Sequence, residues 1–219
     1  MKKYTVCAMH HEVLLPWSEL RCRSSVPLRV LTLDFHTDTM PCFRHAEAPP
    51  ESGVYVDRAK VAEAVKKLRH DEHFDWALHA GVISRGDILA CSPPAQAPEH
   101  PDLAVYVPPE FPEIEVMLNH PELFRKQAEG VLESSFLQRV LGNTLPEPAE
   151  RFILDIDCDY FMCAQALTPA DGELFARLMR QAELVTFSCE NDWVKLLKLP
   201  GENITGESIA ATLIERFLS

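Results

Sequence analysis

The sequence predicts a three-layer α/β/α fold in which helices cover both faces of a mostly parallel central sheet. Short apolar runs rich in β-branched residues alternate with amphipathic helical patterns along the chain. Polar residues directly follow several of these runs, as expected where ligands bind beyond the carboxyl ends of parallel strands. A chain of 219 residues, 47% of them hydrophobic, fits one domain over 1–219 with a core of its own.

Six strands and six helices are predicted in the order of the chain. The strands cover 4–9, 28–34, 87–91, 103–107, 151–156 and 183–188. The helices cover 57–69, 73–83, 122–141, 192–198 and 206–218, and one more begins after an N-cap at Thr168. Proline-rich connections are expected at 93–101 and 108–113, because proline supplies no backbone donor to a sheet or helix interior.

The composition argues against several partners and locations. A net charge of −12 disfavours nucleic acid and anionic membranes, because either would repel the surface at long range. No stretch approaches the roughly 20 apolar residues of a membrane helix, and the N-terminal MKKYTVCAM is interpreted as a strand instead of a signal peptide. The seven cysteines, without a CxxC pair, argue against a disulfide framework and favour a cytoplasmic protein.

The first motif, LTLDFHTDTM, places Asp34, His36 and Asp38 directly after an apolar strand. If the backbone stays extended, alternation turns these three side chains to one side. Carboxylate and imidazole donors suit Mn²⁺, Zn²⁺ or Fe²⁺ better than Ca²⁺. The alternative is a polar strand end at which Asp38 and Thr39 cap a helix or turn.

The second motif, FILDIDCDYF, repeats the alternation with Asp155, Asp157 and Asp159. Asp155 lies inside the apolar run, where an unpaired carboxylate is costly to bury and a metal or another cation is a natural counter-charge. The alternative is a solvated strand end or a carboxylate satisfied by backbone N–H groups. Together, the two motifs supply enough ligands for two cations that share bridging carboxylates, as two-metal hydrolases require.

These motifs resemble those of a known family. LDFHTD and LDIDCDYF are similar to the two metal-binding signatures of the arginase/deacetylase superfamily of ureohydrolases. With AMHHEVLLPW, they resemble more closely a small ureohydrolase-like family that includes peptide arginases of ribosomal-peptide pathways. The resemblance implies an arginase/deacetylase-like fold and conversion of peptidyl arginine to ornithine and urea. A hydroxide bridging two metals would attack the guanidinium carbon.

The resemblance also implies six ligands to two manganese ions, with zinc, iron or cobalt as alternative metals. Asp34 and Asp155 would bridge the two ions. The remaining ligands would be His10 and Asp38 on one ion, and His36 and Asp157 on the other.

Two neighbouring residues are expected outside this ligand set. Asp159 would support the ligands from a second layer. His11 stays an alternative to His10, because successive strand residues point in opposite directions and only one of the two faces the metals.

The reaction needs an anion that holds the guanidinium and a donor that protonates the departing amine. Glu190, after the last predicted strand, is the candidate for the anion, with Asp192 as the alternative. His45 and His79 are candidates for the proton shuttle. His45 is preferred, because it lies 11 residues after Asp34, a spacing similar to that in arginases.

Three other functions compete with this one. A deacetylase-like amidohydrolase would use one zinc ion, and a non-catalytic scaffold would bind a peptide without turnover. A Mg²⁺-dependent phosphatase with an aspartate nucleophile needs Thr or Val soon after the aspartates, which Tyr160 and Phe161 do not supply. The oligomeric state and the identity of the peptide stay open.

Overall fold

The computed structural model describes residues 4–43, 51–94, 96–111 and 113–218. Six strands form one sheet: β1 (Tyr4–Cys7), β2 (Leu28–Asp34), β3 (Ile83–Ala90), β4 (Leu103–Tyr106), β5 (Phe152–Asp157) and β6 (Leu184–Ser188). Their order across the sheet is β1-β6-β5-β2-β3-β4, and every neighbouring pair is parallel. The predicted parallel sheet is therefore confirmed.

Nine α-helices lie in the described part of the chain. They are α1 (Leu14–Arg23), α2 (Arg58–Lys67), α3 (His73–Ala80), α4 (Ile114–Asn119), α5 (Arg125–Glu129), α6 (Ser134–Leu141), α7 (Glu173–Gln181), α8 (Asn191–Leu197) and α9 (Gly206–Leu218). One core cluster joins α1, α2 and α3 to the sheet, and another joins α6, α7 and α9 to it. This arrangement confirms the α/β fold class.

The alternation of side chains along β2 explains why both faces of the sheet need a cover. Leu28 and Val30 belong to the core cluster with α1, α2 and α3, whereas Leu31 and Leu33 belong to the other cluster. Successive strand residues point to opposite faces, so a strand with apolar residues on both faces must be covered on both sides.

The helix predicted over 122–141 is interrupted in the structure. α5 ends at Glu129 before Gly130, and α6 begins only at Ser134. Glycine is unfavourable inside a helix and favours such an interruption. A short 3₁₀ helix, Pro121–Phe124, precedes α5.

Two other helix starts also differ from the prediction. Thr168 is not an N-cap, because its hydroxyl donates to the Gln165 carbonyl oxygen at 3.1 Å and α7 begins at Glu173 after Gly172. α1 was not predicted, although it buries Trp17 completely. Pro16 lies in its first turn, where proline is tolerated because the N–H groups there have no intrahelical partner.

The register of β2 against β5 decides which polar residues meet at the carboxyl end of the sheet. Thr32 pairs with Asp155, and Leu33 pairs with Ile156. One residue further along both strands, Asp34 therefore lies beside Asp157. Asp155 lies two residues earlier, about 7 Å deeper in the sheet.

Two further observations concern the cysteines and the lengths of the helices. All seven cysteines are free. Among the described residues, no helix combines the length and the apolar composition of a membrane-spanning segment.

Candidate metal centre

His10 lies at the centre of a buried cluster of carboxylates. It begins the 3₁₀ helix His10–Val13, which follows β1, and its side chain is fully buried. Its Nδ1 atom lies 2.8 Å from Asp38 Oδ2, 3.0 Å from Asp157 Oδ2 and 3.6 Å from Asp34 Oδ2. These four residues bring one donor atom each within 4.8 Å of the others, so they form a group that could hold a metal ion.

A second group of possible ligands adjoins the first. His36 Nδ1 lies 3.0 Å from Asp159 Oδ2 and 4.0 Å from Asp34 Oδ1. Asp34, His36 and Asp159 again offer donor atoms within 4.8 Å of one another. Asp34 belongs to both groups and offers a different oxygen to each histidine, which is the geometry expected of a shared ligand.

The backbone brings the first-motif residues together by turning. β2 ends at Asp34, and the His36 N–H donates to Asp34 Oδ1 at 2.7 Å. Asp38 then adopts a left-handed conformation with φ of 47°. The extended alternation expected over these residues is therefore absent, and the turn directs Asp38 toward His10 while His36 reaches the second group.

The second motif also turns at the end of its strand. Asp157 caps the 3₁₀ helix Cys158–Tyr160 by accepting a hydrogen bond from the Asp159 N–H at 3.2 Å. The turn brings Asp159 back against the first motif, where its Oδ1 atom accepts from the Phe35 N–H at 3.2 Å. Asp159 was expected in the second layer, but the structure places it among the possible ligands.

Asp155, expected as a bridging ligand, lies outside every possible ligand group in the described residues. Its Oδ1 atom accepts from the Thr186 hydroxyl at 2.6 Å, and its Oδ2 atom accepts from the Thr32 hydroxyl at 3.3 Å. Oδ2 also lies 2.8 Å from His10 Nε2. Asp155 therefore contacts the far side of the His10 ring, whereas Asp159 lies in a possible ligand group. The physical reason is the strand register, which places Asp157 beside Asp34. The bridging role of Asp155 and the supporting role of Asp159 stay predictions.

Crowding of the buried carboxylates changes their acidity. Burial raises the pKa of Asp34 well above its ordinary value, and the nearby carboxylates of Asp38 and Asp159 raise it further. Burial likewise raises the pKa of Asp157, with Asp159 adding to the rise. Like charges held together away from water favour protonation unless a cation neutralises them.

The pKa values of the two histidines are also raised, although burial alone would lower them. Burial opposes the charge on His10, but the carboxylates of Asp155 and Asp157 raise its pKa well above the ordinary value. Burial also opposes the charge on His36, but its contact with Asp159 raises its pKa to about 9. Both imidazoles therefore sit in a strongly negative environment.

The chemistry of these residues fits a divalent cation. Five aspartates surround two histidines, so at least three negative charges stay uncompensated when all seven groups are ionised. Asp34 Oδ2 is buried without a hydrogen-bond partner in the described residues. Buried charges of this kind are paired or coordinate metals.

Glu190 lies directly beside this centre. It precedes α8 in a left-handed conformation with φ of 36° and is only 4% exposed. Its Oε1 atom accepts a hydrogen bond from the His10 backbone N–H at 2.8 Å. Burial raises the pKa of Glu190 above its ordinary value. Asp192, the alternative carboxylate, is exposed on the first turn of α8.

His79, one of the two candidate proton shuttles, lies away from the centre. His79 has a side chain that is 39% exposed, and its Nε2 atom lies 3.6 Å from Asp75 Oδ1. Its ring lies 5.4 Å from that of His100, in a surface pocket. His45 lies outside the described residues. His11 is half-buried and belongs to no possible ligand group in the described residues.

Two residues at the centre were missed by the sequence analysis. His73 is fully buried, its ring centroid lies 4.3 Å from that of His10, and with His10 and Asp38 it forms a third, overlapping group of possible ligands. Its Nδ1 atom lies 2.8 Å from the His70 carbonyl oxygen and donates to it. Trp193 contacts the His36 ring at 4.6 Å between centroids. No motif marks either residue, because each reaches the centre from a helix distant in sequence.

Fold and site together define an α/β protein with a buried cluster of aspartates and histidines that could hold metal, at the carboxyl end of a parallel sheet. No protein-family model matches the chain, and no curated protein matches it either. Among solved structures, it is similar to a proclavaminate amidino hydrolase from Streptomyces clavuligerus, with 16% identity and a TM-score of 0.43. It is also similar to a hypothetical agmatinase from Burkholderia thailandensis, with 14% identity and a TM-score of 0.46.

Each alignment covers 96% of this chain but only 60% and 55% of the respective neighbours. The chain therefore spans little more than half the length of the structures it matches. Because both TM-scores are below 0.5, the functional assignment depends on the site itself.

Proposed function

We propose that this protein is a binuclear manganese ureohydrolase that hydrolyses the guanidinium of peptidyl arginine to ornithine and urea. The observation that carries the proposal is the pair of adjoining ligand groups that share Asp34. Two cations a few ångströms apart with a common carboxylate are the arrangement that two-metal hydrolases use.

The proposed ligands follow the geometry. Asp34 and Asp157 lie level at the strand ends, and His10 and Asp38 complete one group, while His36 and Asp159 complete the other with Asp34. Bound divalent cations supply Lewis acidity and lower the pKa of water toward neutrality.

The other residues bind and orient the substrate. Glu190 presents a buried carboxylate whose Oε1 atom is already held by the His10 N–H, so its orientation is set before the substrate arrives. A carboxylate pairs strongly with the planar N–H donors of a guanidinium. Protonation of the departing amine is assigned to His45 on the sequence alone.

A cleft beside His36 supports a cationic peptide as the substrate. It has a volume of about 530 Å³ and opens to solvent. Apart from His36, the charged residues that line the cleft are Glu113 and Glu115. An acidic approach attracts a basic substrate, and an open cleft leaves room for chain on both sides of an arginine.

The direct test is to load the purified protein with Mn²⁺ and incubate it with an arginine-containing peptide. The expected products are urea and a peptide that has lost one CN₂H₂ unit per converted arginine, as seen by mass spectrometry. Free arginine and an acetyl-lysine peptide are the comparison substrates. The proposal is rejected if no arginine compound yields urea, whereas acetate release with one zinc per chain would establish the deacetylase-like alternative.

A pair of variants tests the carboxylate that holds the substrate. Glu190→Gln should lower kcat/KM about 10- to 100-fold with unchanged metal content, because a hydrogen bond to a charged group is lost. The matched variant Asp192→Asn removes an exposed carboxylate from the same helix and should have little effect. The reverse pattern in urea release would assign the role to Asp192.

A further inference from the structure

Trp193 differs from the other two tryptophans in its exposure and in its neighbours. Trp17 and Trp76 are buried in the core at 0% and 1% exposure, whereas Trp193 is only partly buried. Its ring lies 4.6 Å from the His36 ring in an edge-on arrangement at 61°. Its plane is within 14° of the His70 ring plane, at 6.1 Å between centroids. Trp193 is therefore the indole closest to solvent, and it touches a candidate metal ligand.

The exposure of the ligands shows from which side a substrate must come. Among the proposed ligands, the His36 side chain is 26% exposed and that of Asp38 is 8% exposed, whereas the others are at most 3% exposed. Solvent therefore reaches the centre beside His36. Trp193 packs against that same imidazole, so its indole adjoins the most exposed of the proposed ligands.

One turn of helix connects the Trp193 indole to Glu190, whose carboxylate is proposed to bind the substrate. The Trp193 backbone N–H donates to the Glu190 carbonyl oxygen at 2.8 Å. Glu190 and Trp193 therefore keep a fixed spacing at the start of α8. A planar cation that approaches the centre could meet a carboxylate and an aromatic face that belong to a single rigid turn.

We propose that Trp193 is a specificity-determining residue whose indole stacks on the planar guanidinium while Glu190 accepts its N–H groups. This inference rests on the proposed function and adds the feature that selects a guanidinium over other groups. A guanidinium is planar and weakly hydrated, so it stacks on an indole face better than an ammonium does. A neutral amide gains neither the charge attraction to the ring nor the ion pair with Glu190.

The test compares N-acetyl-arginine amide with N-acetyl-lysine amide as ligands of chelator-treated protein. Indole fluorescence should respond to the arginine compound, because Trp193 is the indole that a ligand can reach among the described residues. Because Trp193→Leu lacks the reporting indole, its binding is measured by isothermal titration calorimetry beside the wild type. It should bind the arginine compound about five- to thirtyfold more weakly, with a smaller change for the lysine compound. Trp193→Phe keeps an aromatic face and should fall between the two.

A second readout uses the manganese-loaded enzyme. Trp193→Leu should raise KM for the arginine substrate more than it lowers kcat, with manganese content unchanged. Leu196→Ala is the matched control, because Leu196 lies on the same helix and is 53% exposed. It should retain wild-type KM and wild-type preference for arginine over lysine.

Several outcomes would overturn the inference. It fails if saturating arginine compound leaves the wild-type fluorescence unchanged, or if Trp193→Leu keeps the wild-type ratio of arginine to lysine binding. A drop in metal content with that ratio retained would make Trp193 a structural neighbour of His36. If no variant releases urea but the fluorescence responds selectively to arginine, the proposed function fails and the inference stands.

Discussion

At the scale of single residues, the His10 ring connects two layers of carboxylates. Its Nδ1 atom faces Asp34, Asp38 and Asp157, whereas its Nε2 atom contacts Asp155 at 2.8 Å. An imidazole held from behind by a carboxylate has a fixed orientation and a more basic facing nitrogen, as is common for histidine ligands of metals. Asp155 itself is fixed by two threonine hydroxyls from the neighbouring strands.

This geometry predicts different consequences for two similar substitutions. Asp159→Asn should remove one of two manganese ions, because it neutralises a carboxylate of the group around His36. Asp155→Asn should keep both sites but lower metal affinity about 10- to 100-fold, as expected for a residue that orients a ligand. Elemental analysis over a range of free manganese distinguishes these outcomes.

The opposite result would restore the arrangement implied by the sequence motifs. If Asp155→Asn loses one ion at saturating manganese while Asp159→Asn keeps two, Asp155 is the bridging ligand and Asp159 the supporting residue. Circular dichroism of both variants serves as the control for folding.

At the scale of elements, the start of α9 packs closely against the turn that carries Glu190. A Cβ atom at Gly206 would lie 2.0 Å from the Cys189 carbonyl oxygen and 2.5 Å from its Cα atom, so only glycine fits. The Gly206 N–H also donates to Asn191 Oδ1 at 2.8 Å. α8 and α9 therefore begin against each other, and this contact supports the backbone on which Glu190 adopts its left-handed conformation.

Gly206→Ala should therefore disturb both stability and the site. We expect the free energy of unfolding to fall by about 1–3 kcal/mol, because the added methyl group meets backbone that must shift. Chemical denaturation followed by circular dichroism measures this change in stability. The rate of enzymatic urea production should also fall, because Glu190 moves. Gly130→Ala is the control, since its Cβ would meet nothing closer than 3.6 Å. Equal stability of the two variants would contradict the close packing at Gly206.

At the scale of the whole molecule, the sheet gathers negative charge at one end. The carboxylates of β2, β5 and the turns after them converge from segments more than 100 residues apart, as the 123-residue separation of Thr32 and Asp155 illustrates. Folding without a counter-ion therefore forces like charges together, and the raised pKa values of Asp34 and Asp157 reflect this cost.

Manganese should stabilise the folded protein for this reason. At a free concentration of 100 times Kd, binding to the native state contributes about 2.7 kcal/mol, which corresponds to roughly 5–10 °C in Tm for a chain of this size. Thermal unfolding with and without manganese measures the shift, and a chelator should reverse it. Asp34→Ala, which removes the shared carboxylate, should largely abolish the shift, and a full shift in that variant would contradict a centre built on Asp34.

Local patterns were enough to predict most of the fold. Apolar runs identified all six strands, and polar residues after β2 and β5 marked the edge of the sheet where the centre lies. These features depend on neighbours in sequence, since a buried strand must be apolar and its exit into a ligand site must be polar. The break at Gly130 and the start of α7 were misplaced, because turn contacts such as that of Thr168 with Gln165 compete with capping.

The sequence by itself determined that β2 and β5 end in aspartates and histidines that can hold a cation. Only the tertiary structure decided which aspartate stands level with Asp34. The alternation of side chains along a strand has a period of two, so shifting β5 by two residues leaves the pattern unchanged and exchanges Asp155 for Asp157. In the observed register, the Thr32 and Thr186 hydroxyls donate to Asp155. The same long-range packing brings Glu190 and Trp193 to the centre, because no local pattern encodes where a helix will dock.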